Sequence, residues 1–104
     1  MTLDFVSGDT WEFDVRLEDA EGQPFRLGEG DRLWFRAKKN YSDQKCAVCA
    51  EQDSEHFKIP PEKTAIAAGQ YYADIGITFS NGDIHTLLPE ITLLIRPKVI
   101  CNGT

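Results

Sequence analysis

The chain has 104 residues, 41% of them hydrophobic and 27% charged, a balance that fits one globular domain over residues 1–104 and excludes a disordered chain. Its formal net charge of −6 argues against a nonspecific grip on nucleic acid or anionic lipid, and no basic stripe offsets the acidity. The start, Met1 to Phe5, has no basic, apolar leader pattern, and nowhere is there an apolar run long enough to span a bilayer, so folding in a cytoplasm is expected.

Taken in order, Thr2 to Val6 reads as a short strand, and Ser7-Gly8-Asp9 supplies turn chemistry. Thr10 to Asp19 places Trp11, Phe13, Val15 and Leu17 on one side and Glu12, Asp14, Arg16 and Glu18 on the other. This period-two alternation predicts a strand with one buried face. Ala20 to Pro24 is a loop punctuated by Gly and Pro, and Phe25 and Leu27 suggest a brief edge segment before Gly28 to Asp31 turns the chain. Arg32 to Lys39 alternates again, with Leu33, Phe35 and Ala37 inward and Arg36 and Lys38 outward; Trp34 is the exception on the polar face. Asn40 to Gln44 reads as a polar connection, Lys45 to Ala50 as a strand, and Glu51 to Glu55 as an exposed acidic stretch.

His56 to Ile59 predicts a further strand with Phe57 and Ile59 on one face. Pro60-Pro61 breaks the ladder, and Glu62 to Ala68 is the one helical piece, ending at Gly69. The clearest pattern follows, with Tyr71, Ala73, Ile75, Ile77 and Phe79 alternating against Tyr72, Asp74, Gly76, Thr78 and Ser80. Asn81-Gly82 tolerates the positive φ of a type I′ turn, which would pair Ile84 to Leu88 with the preceding strand. Pro89 is expected to interrupt that pairing before Glu90 to Arg96 sets Ile91, Leu93 and Ile95 on one face. Pro97 ends or kinks this strand, and Val99 and Ile100 suggest that it resumes at an edge. The sum is an all-β chain of seven or eight short strands with one short helical turn. It points to an antiparallel β-sandwich, with a small barrel as the alternative.

Catalytic apparatus is not visible in the sequence. Cys46-Ala47-Val48-Cys49 is a C-x-x-C, and Cys101, His56 and His85 are the other residues a zinc shell would draw on. Neither a second such pair nor a tight Cys/His spacing is present, and along a strand the two cysteines would lie roughly 10 Å apart, out of disulfide reach. Idle free thiols, no metal and no cofactor are the reading. His85 sits two residues from Asp83 beside a turn, where a solvated pair is expected. Phosphate-loop, nucleophile-elbow and zinc-protease motifs are absent, so the chain reads as noncatalytic. The acidic set Asp4, Glu12, Asp14, Glu18 and Glu21 reads as a solvated strand face. Trp34, Tyr41 and Tyr72 fall on outward faces or in a loop and are the candidate interface residues. Such aromatics anchor protein interfaces or stack on sugars; the competing reading packs them under a loop or a neighbouring subunit.

Two phrases together resemble a family. Val6-Ser7-Gly8-Asp9-Thr10-Trp11-Glu12-Phe13, then Leu17-Glu18-Asp19-Ala20-Glu21-Gly22-Gln23-Pro24, is similar to the "G-D-T, strand, D-x-x-G-x-P" opening of small immunoglobulin-like domains in tailed-phage structural proteins, including amino-terminal domains of baseplate proteins. Phe57-Lys58-Ile59-Pro60, Thr64, Gly69-Gln70-Tyr71-Tyr72-Ala73-Asp74-Ile75, Asn81-Gly82 and Thr86-Leu87 resemble the closing pattern of the same domains. The motifs are turns and core positions, and Cys46 to Cys49 matches nothing in the pattern. The resemblance implies an immunoglobulin-like β-sandwich and a noncatalytic phage or prophage structural role, in a tail, a baseplate or another accessory part of the virion. The implied partners are other phage structural proteins and further copies of the chain, first in the bacterial host cytoplasm and then in the virion. The chain ends without a fibre or receptor-binding extension, so a stand-alone accessory protein is expected. A small carbohydrate- or ligand-binding module is the alternative.

Overall fold

The computed structural model of the protein describes residues 1–99. The strands are β1 (Thr2–Val6), β2 (Trp11–Asp14), β3 (Arg32–Lys38), β4 (Val48–Gln52), β5 (His56–Ile59), β6 (Gly69–Thr78) and β7 (Ile84–Arg96), with one helical turn, α1 (Pro61–Thr64), between β5 and β6. They form a five-stranded sheet in the order β1-β7-β6-β3-β4 and a second sheet of β2 and β5.

The alternating apolar residues fill the space between the two sheets. Leu33, Phe35 and Ala37 of β3, Tyr71 to Ile77 of β6 at odd positions, and Ile91, Leu93 and Ile95 of β7 are buried against Trp11, Phe57 and Ile59 of the small sheet. Phe13 is the hinge of this core, with its ring 5.1 Å from Phe57 and 5.6 Å from Phe35. Apolar burial of this kind contributes roughly 1.5–3 kcal/mol for each large side chain. Where the chain leaves β1 for β2, polar contacts pin the crossing to α1: Thr64 Oγ1 donates to the Asp9 carbonyl (2.6 Å), Gly8 N–H to the Thr64 carbonyl (3.1 Å) and Ser7 Oγ to the Ile66 carbonyl (2.6 Å). The Asp19 loop is closed in the same way, Asp19 Oδ1 accepting from the N–H groups of Glu21 and Gln23 while Gly22 takes φ +79°. That arrangement is the physical content of the D-x-x-G-x-P phrase.

The chain is all-β, but the large sheet is mixed and not purely antiparallel. β1 runs parallel to β7, from Thr2 opposite Thr92 to Val6 opposite Arg96, because the first and last strands enter the sheet side by side in the same sense. The expected long strand from Thr10 pairs only as far as Asp14, where β5 begins. Beyond it Val15 N–H reaches the Glu55 carbonyl (2.8 Å), and Val15 and Leu17 are buried without a ladder. Phe25 runs beside Leu17 through one backbone bond of 3.1 Å and forms no strand. β4 is displaced toward the carboxyl end, taking in Glu51 and Gln52, since an edge strand needs few apolar residues. α1 is one turn only; Ala65 leaves the helical region with ψ 65°.

The β6–β7 hairpin forms, but not by a type I′ turn. Phe79 N–H donates to the Asp83 carbonyl and Gly82 N–H to the Phe79 carbonyl, both at 2.8 Å, and only Gly82 has positive φ (95°). This is a longer loop closed by a glycine bulge. Pro89 interrupts the pairing as expected, neither it nor Glu90 standing opposite a β6 residue, although β7 itself continues to Arg96. Between Ala73–Ile91 and Ile75–Leu88, β6 advances two residues and β7 three, so β7 bulges at Pro89 and Glu90, where a missing N–H is tolerated, and a second one-residue shift falls at Leu87, between Ile75–Leu88 and Gly76–Thr86. Val99 is exposed and outside any strand; Ile100 lies outside the described residues.

Candidate interaction face

The face of the five-stranded sheet turned away from the core is built by the even residues of β3 and β6. Register sets Lys38 beside Tyr72, Arg36 beside Asp74, and Trp34 beside Gly76. The β3–β4 connection folds back over this face, its turn fixed by Asn40 N–H donating to Asp43 Oδ2 (3.0 Å) and Asp43 N–H to the Asn40 carbonyl (3.1 Å). Tyr41 is thereby laid on Tyr72, ring centroids 4.6 Å apart at 22°. Tyr41 remains 66% exposed, and Tyr72 is half-buried.

Beside the stacked rings is a hollow of about 380 Å³ lined by Arg36, Lys38, Asp74, Gln44, Cys46 and Glu90 as well as the two tyrosines. Glu90 reaches it because the β7 bulge puts that residue at φ 59°. Among the described residues, none of Arg36, Lys38, Asp74 and Glu90 forms an ion pair. The face thus offers two cations, two carboxylates and an aromatic surface whose hydrogen-bonding capacity is open to a partner. This equips it for recognition by stacking and charge-assisted hydrogen bonds.

Trp34 requires a correction. It points to the outer face as its position in the alternation predicts, but it is 4% exposed and is not a free contact residue. Gly76 leaves a gap on the neighbouring strand that the indole fills, and the Arg36 guanidinium covers it, 4.3 Å from the ring centroid. Its Nε1 has no hydrogen-bond partner among the described residues. Of the three candidate aromatics, the fold brings Tyr41 and Tyr72 together and sets Trp34 into the sheet surface.

The remaining candidates are scattered. Cys46 is half-buried at the hollow and Cys49 exposed on β4, both free thiols; Cys101 lies outside the described residues. Among the described residues, no three His, Cys, Asp or Glu side chains are grouped to hold a metal. His85 sits edge-on to Phe79 at 5.7 Å, and no ion pair joins it to Asp83 among the described residues. The histidine that does engage carboxylates is His56, with Nδ1 2.7 Å from Asp14 Oδ1 and Nε2 3.7 Å from Glu12 Oε1. The hydrogen bond to Asp14 raises its pKa above the ordinary 6.5. Strand alternation puts Glu12, Asp14 and His56 on outward faces, but only the β2–β5 pairing, unreadable from local sequence, joins them. The other acidic residues are solvated or paired at the surface, Asp4 with Arg96 through two contacts of 2.7 Å and Glu18 with Arg16 at 2.8 Å. No helix among the described residues is long and apolar enough to cross a membrane.

No protein-family model matches the chain, and no curated protein matches it either.

Proposed function

We propose that the protein is a noncatalytic structural component of a phage or prophage particle, in a tail, a baseplate or another accessory part of the virion, and that it works by protein–protein assembly. Its fold on this reading is an immunoglobulin-like sandwich. Strand order supports that reading: β7-β6-β3-β4 corresponds to the G-F-C-C′ sheet of such domains and β2-β5 to their B-E pair. Tyr71 supports it independently. It lies near the start of the sixth strand and its hydroxyl donates back to the Ala67 carbonyl at 2.7 Å, the geometry of a tyrosine corner.

The observation that carries the assembly role is the Tyr41–Tyr72 stack, displayed on the outer sheet face beside unpaired charges of both signs. Aromatic residues with adjacent polar groups form the energetic centres of protein interfaces. Other particle proteins are the partners this face would bind, after folding in the host cytoplasm. A second reading, a small carbohydrate-binding module, draws on the same hollow, because a tyrosine platform flanked by carboxylates and cations also suits a sugar ring.

The test is incorporation. A Tyr41→Ala/Tyr72→Ala variant keeps its core, since neither ring lies in it, and is expected to enter purified particles at least tenfold less than the parent chain. Equal incorporation overturns the role of this face. Loss of glycan binding in the same variant, in a protein absent from particles, favours the second reading.

A further inference from the structure

The loop between β6 and β7 carries the dipeptide Asn81-Gly82, and every residue from Ser80 to Asp83 is exposed. Gly82 has φ +95°, with nothing within 4 Å of the place a Cβ would take. Two contacts fix the Asn81 side chain. Its Oδ1 accepts from Asp83 N–H at 2.9 Å, and its Nδ2 donates to Asp83 Oδ2 at 3.3 Å. The side-chain amide therefore straddles Gly82, its carbonyl oxygen polarised by a backbone donor and its nitrogen beside a carboxylate.

An asparagine amide is open to attack by the peptide nitrogen of the next residue, and glycine hinders that approach least because it has no Cβ. The Gly82 nitrogen gives its proton to hydroxide and bonds to Asn81 Cγ. The Cγ–Nδ2 bond then breaks, and ammonia leaves with a proton taken from water. Water opens the resulting succinimide at either carbonyl, giving aspartate or isoaspartate at position 81. One water enters and one ammonia departs, with no oxidation or reduction. During the attack negative charge develops on Oδ1, the atom that Asp83 N–H already bonds, and a donor set in place for a developing oxyanion stabilises it. Gly82 N–H donates to the Phe79 carbonyl at 2.8 Å. That bond must open before the nitrogen reacts, and an exposed loop opens at little cost.

We infer that Asn81 is a self-modification site, converted through a succinimide to aspartate and isoaspartate in the folded protein. Conversion adds one negative charge to a chain of net charge −6 and sets it against Asp83, where an amide donor stood. Isoaspartate also reroutes the main chain through the side-chain carbonyl, which lengthens a loop closed by the Phe79–Asp83 and Gly82–Phe79 bonds. Ser80 N–H ties the same loop to Asp31 Oδ1 at 2.9 Å, so the loosening extends to the turn ahead of β3. The reaction needs no partner and is independent of any particle role.

The experiment is peptide mapping by mass spectrometry after incubation of the full chain in mildly alkaline buffer with reductant, folded and in urea, with the aspartate and isoaspartate peptides separated by chromatography. Tryptic cleavage places Asn40, Asn81 and Asn102 in different peptides, so the second Asn-Gly, Asn102-Gly103, is counted apart. In the folded chain Asn81 is expected to convert at least tenfold faster than Asn40, which Tyr41 follows, and within tenfold of its own rate in urea. A folded Asn81 peptide that stays intact, or that converts more than tenfold slower than in urea, overturns the site, because the loop then protects the amide. The converted fraction, isolated by anion exchange, is expected to exchange the Phe79 amide hydrogen at least tenfold faster than the parent. Unchanged exchange there overturns the loosening of the hairpin.

Discussion

Trp34 and Gly76 face each other across β3 and β6 so closely that a Cβ added to Gly76 would come within 2.0 Å of the indole Cζ2. The glycine is the seat of the ring, and a methyl group there forces the indole out. Gly76→Ala is expected to cost about 1–3 kcal/mol through overpacking, and Trp34→Ala about 3–5 kcal/mol through loss of a buried aromatic. Urea unfolding checks both. If Trp34→Ala leaves stability unchanged, the ring is not part of the packing.

Glu90 holds φ 59° at the β7 bulge, where a residue with a Cβ carries a penalty of about 1–2 kcal/mol. Glycine adopts that conformation freely but loses more entropy on folding, which returns part of the gain. Glu90→Gly is expected to raise stability by about 0.5–1 kcal/mol, and Glu90→Asn by less. Thermal unfolding in parallel with the parent chain is the check, and a drop in stability for both variants would mean that Glu90 makes a contact worth more than its strain.

Thr64 is buried in the core, and its hydroxyl donates to the Asp9 carbonyl at 2.6 Å. Thr64→Val keeps the shape and removes the donor, leaving that carbonyl short of a partner at the crossing from one sheet to the other. A loss of about 1–3 kcal/mol is expected, with Thr64→Ser losing less because it keeps the hydroxyl. Denaturant midpoints of the two variants separate the hydrogen bond from the methyl group.

His56 and Asp4 give opposite pH signatures. The hydrogen bond to Asp14 raises the His56 pKa above 6.5, so the stability this pair contributes is complete below 6.5 and is lost as pH rises through the raised value. The hydrogen bond from Arg96 lowers the Asp4 pKa below 3.8, so its contribution is present above 3.8 and lost as pH falls through the lowered value. An NMR titration of His56 is expected to move back toward the ordinary midpoint in Asp14→Asn. No movement would mean that Asp14 does not hold the imidazole in solution.

Local alternation made much of this fold legible. The inward residues of β3, β5, β6 and the second half of β7 are those the period-two pattern selects, because a buried sheet face imposes that pattern residue by residue. Pairing between distant strands leaves no local trace, so neither the parallel union of β1 with β7 nor the β2–β5 pair that assembles His56 with Asp14 was readable. Trp34 shows the same limit at one side chain. Its direction follows from alternation, but its burial depends on Gly76 across the sheet and Arg36 two residues along. Tyr41 and Tyr72 were each visible as candidates, while their stacking depends on the Asn40–Asp43 turn that returns the loop to the sheet.

Cross-linking mass spectrometry on purified particles, with amine-reactive reagents that report on lysines, shows which face of the protein meets a partner. Lys38 lines the hollow beside Tyr41 and Tyr72, Lys45 falls between its lining residues Gln44 and Cys46, and Lys58 lies on the small sheet beside Glu12. The protein is expected in the particles, with Lys38 and Lys45 linked to another particle protein. A protein missing from the particles, or one linked there through Lys58 alone, would contradict that expectation.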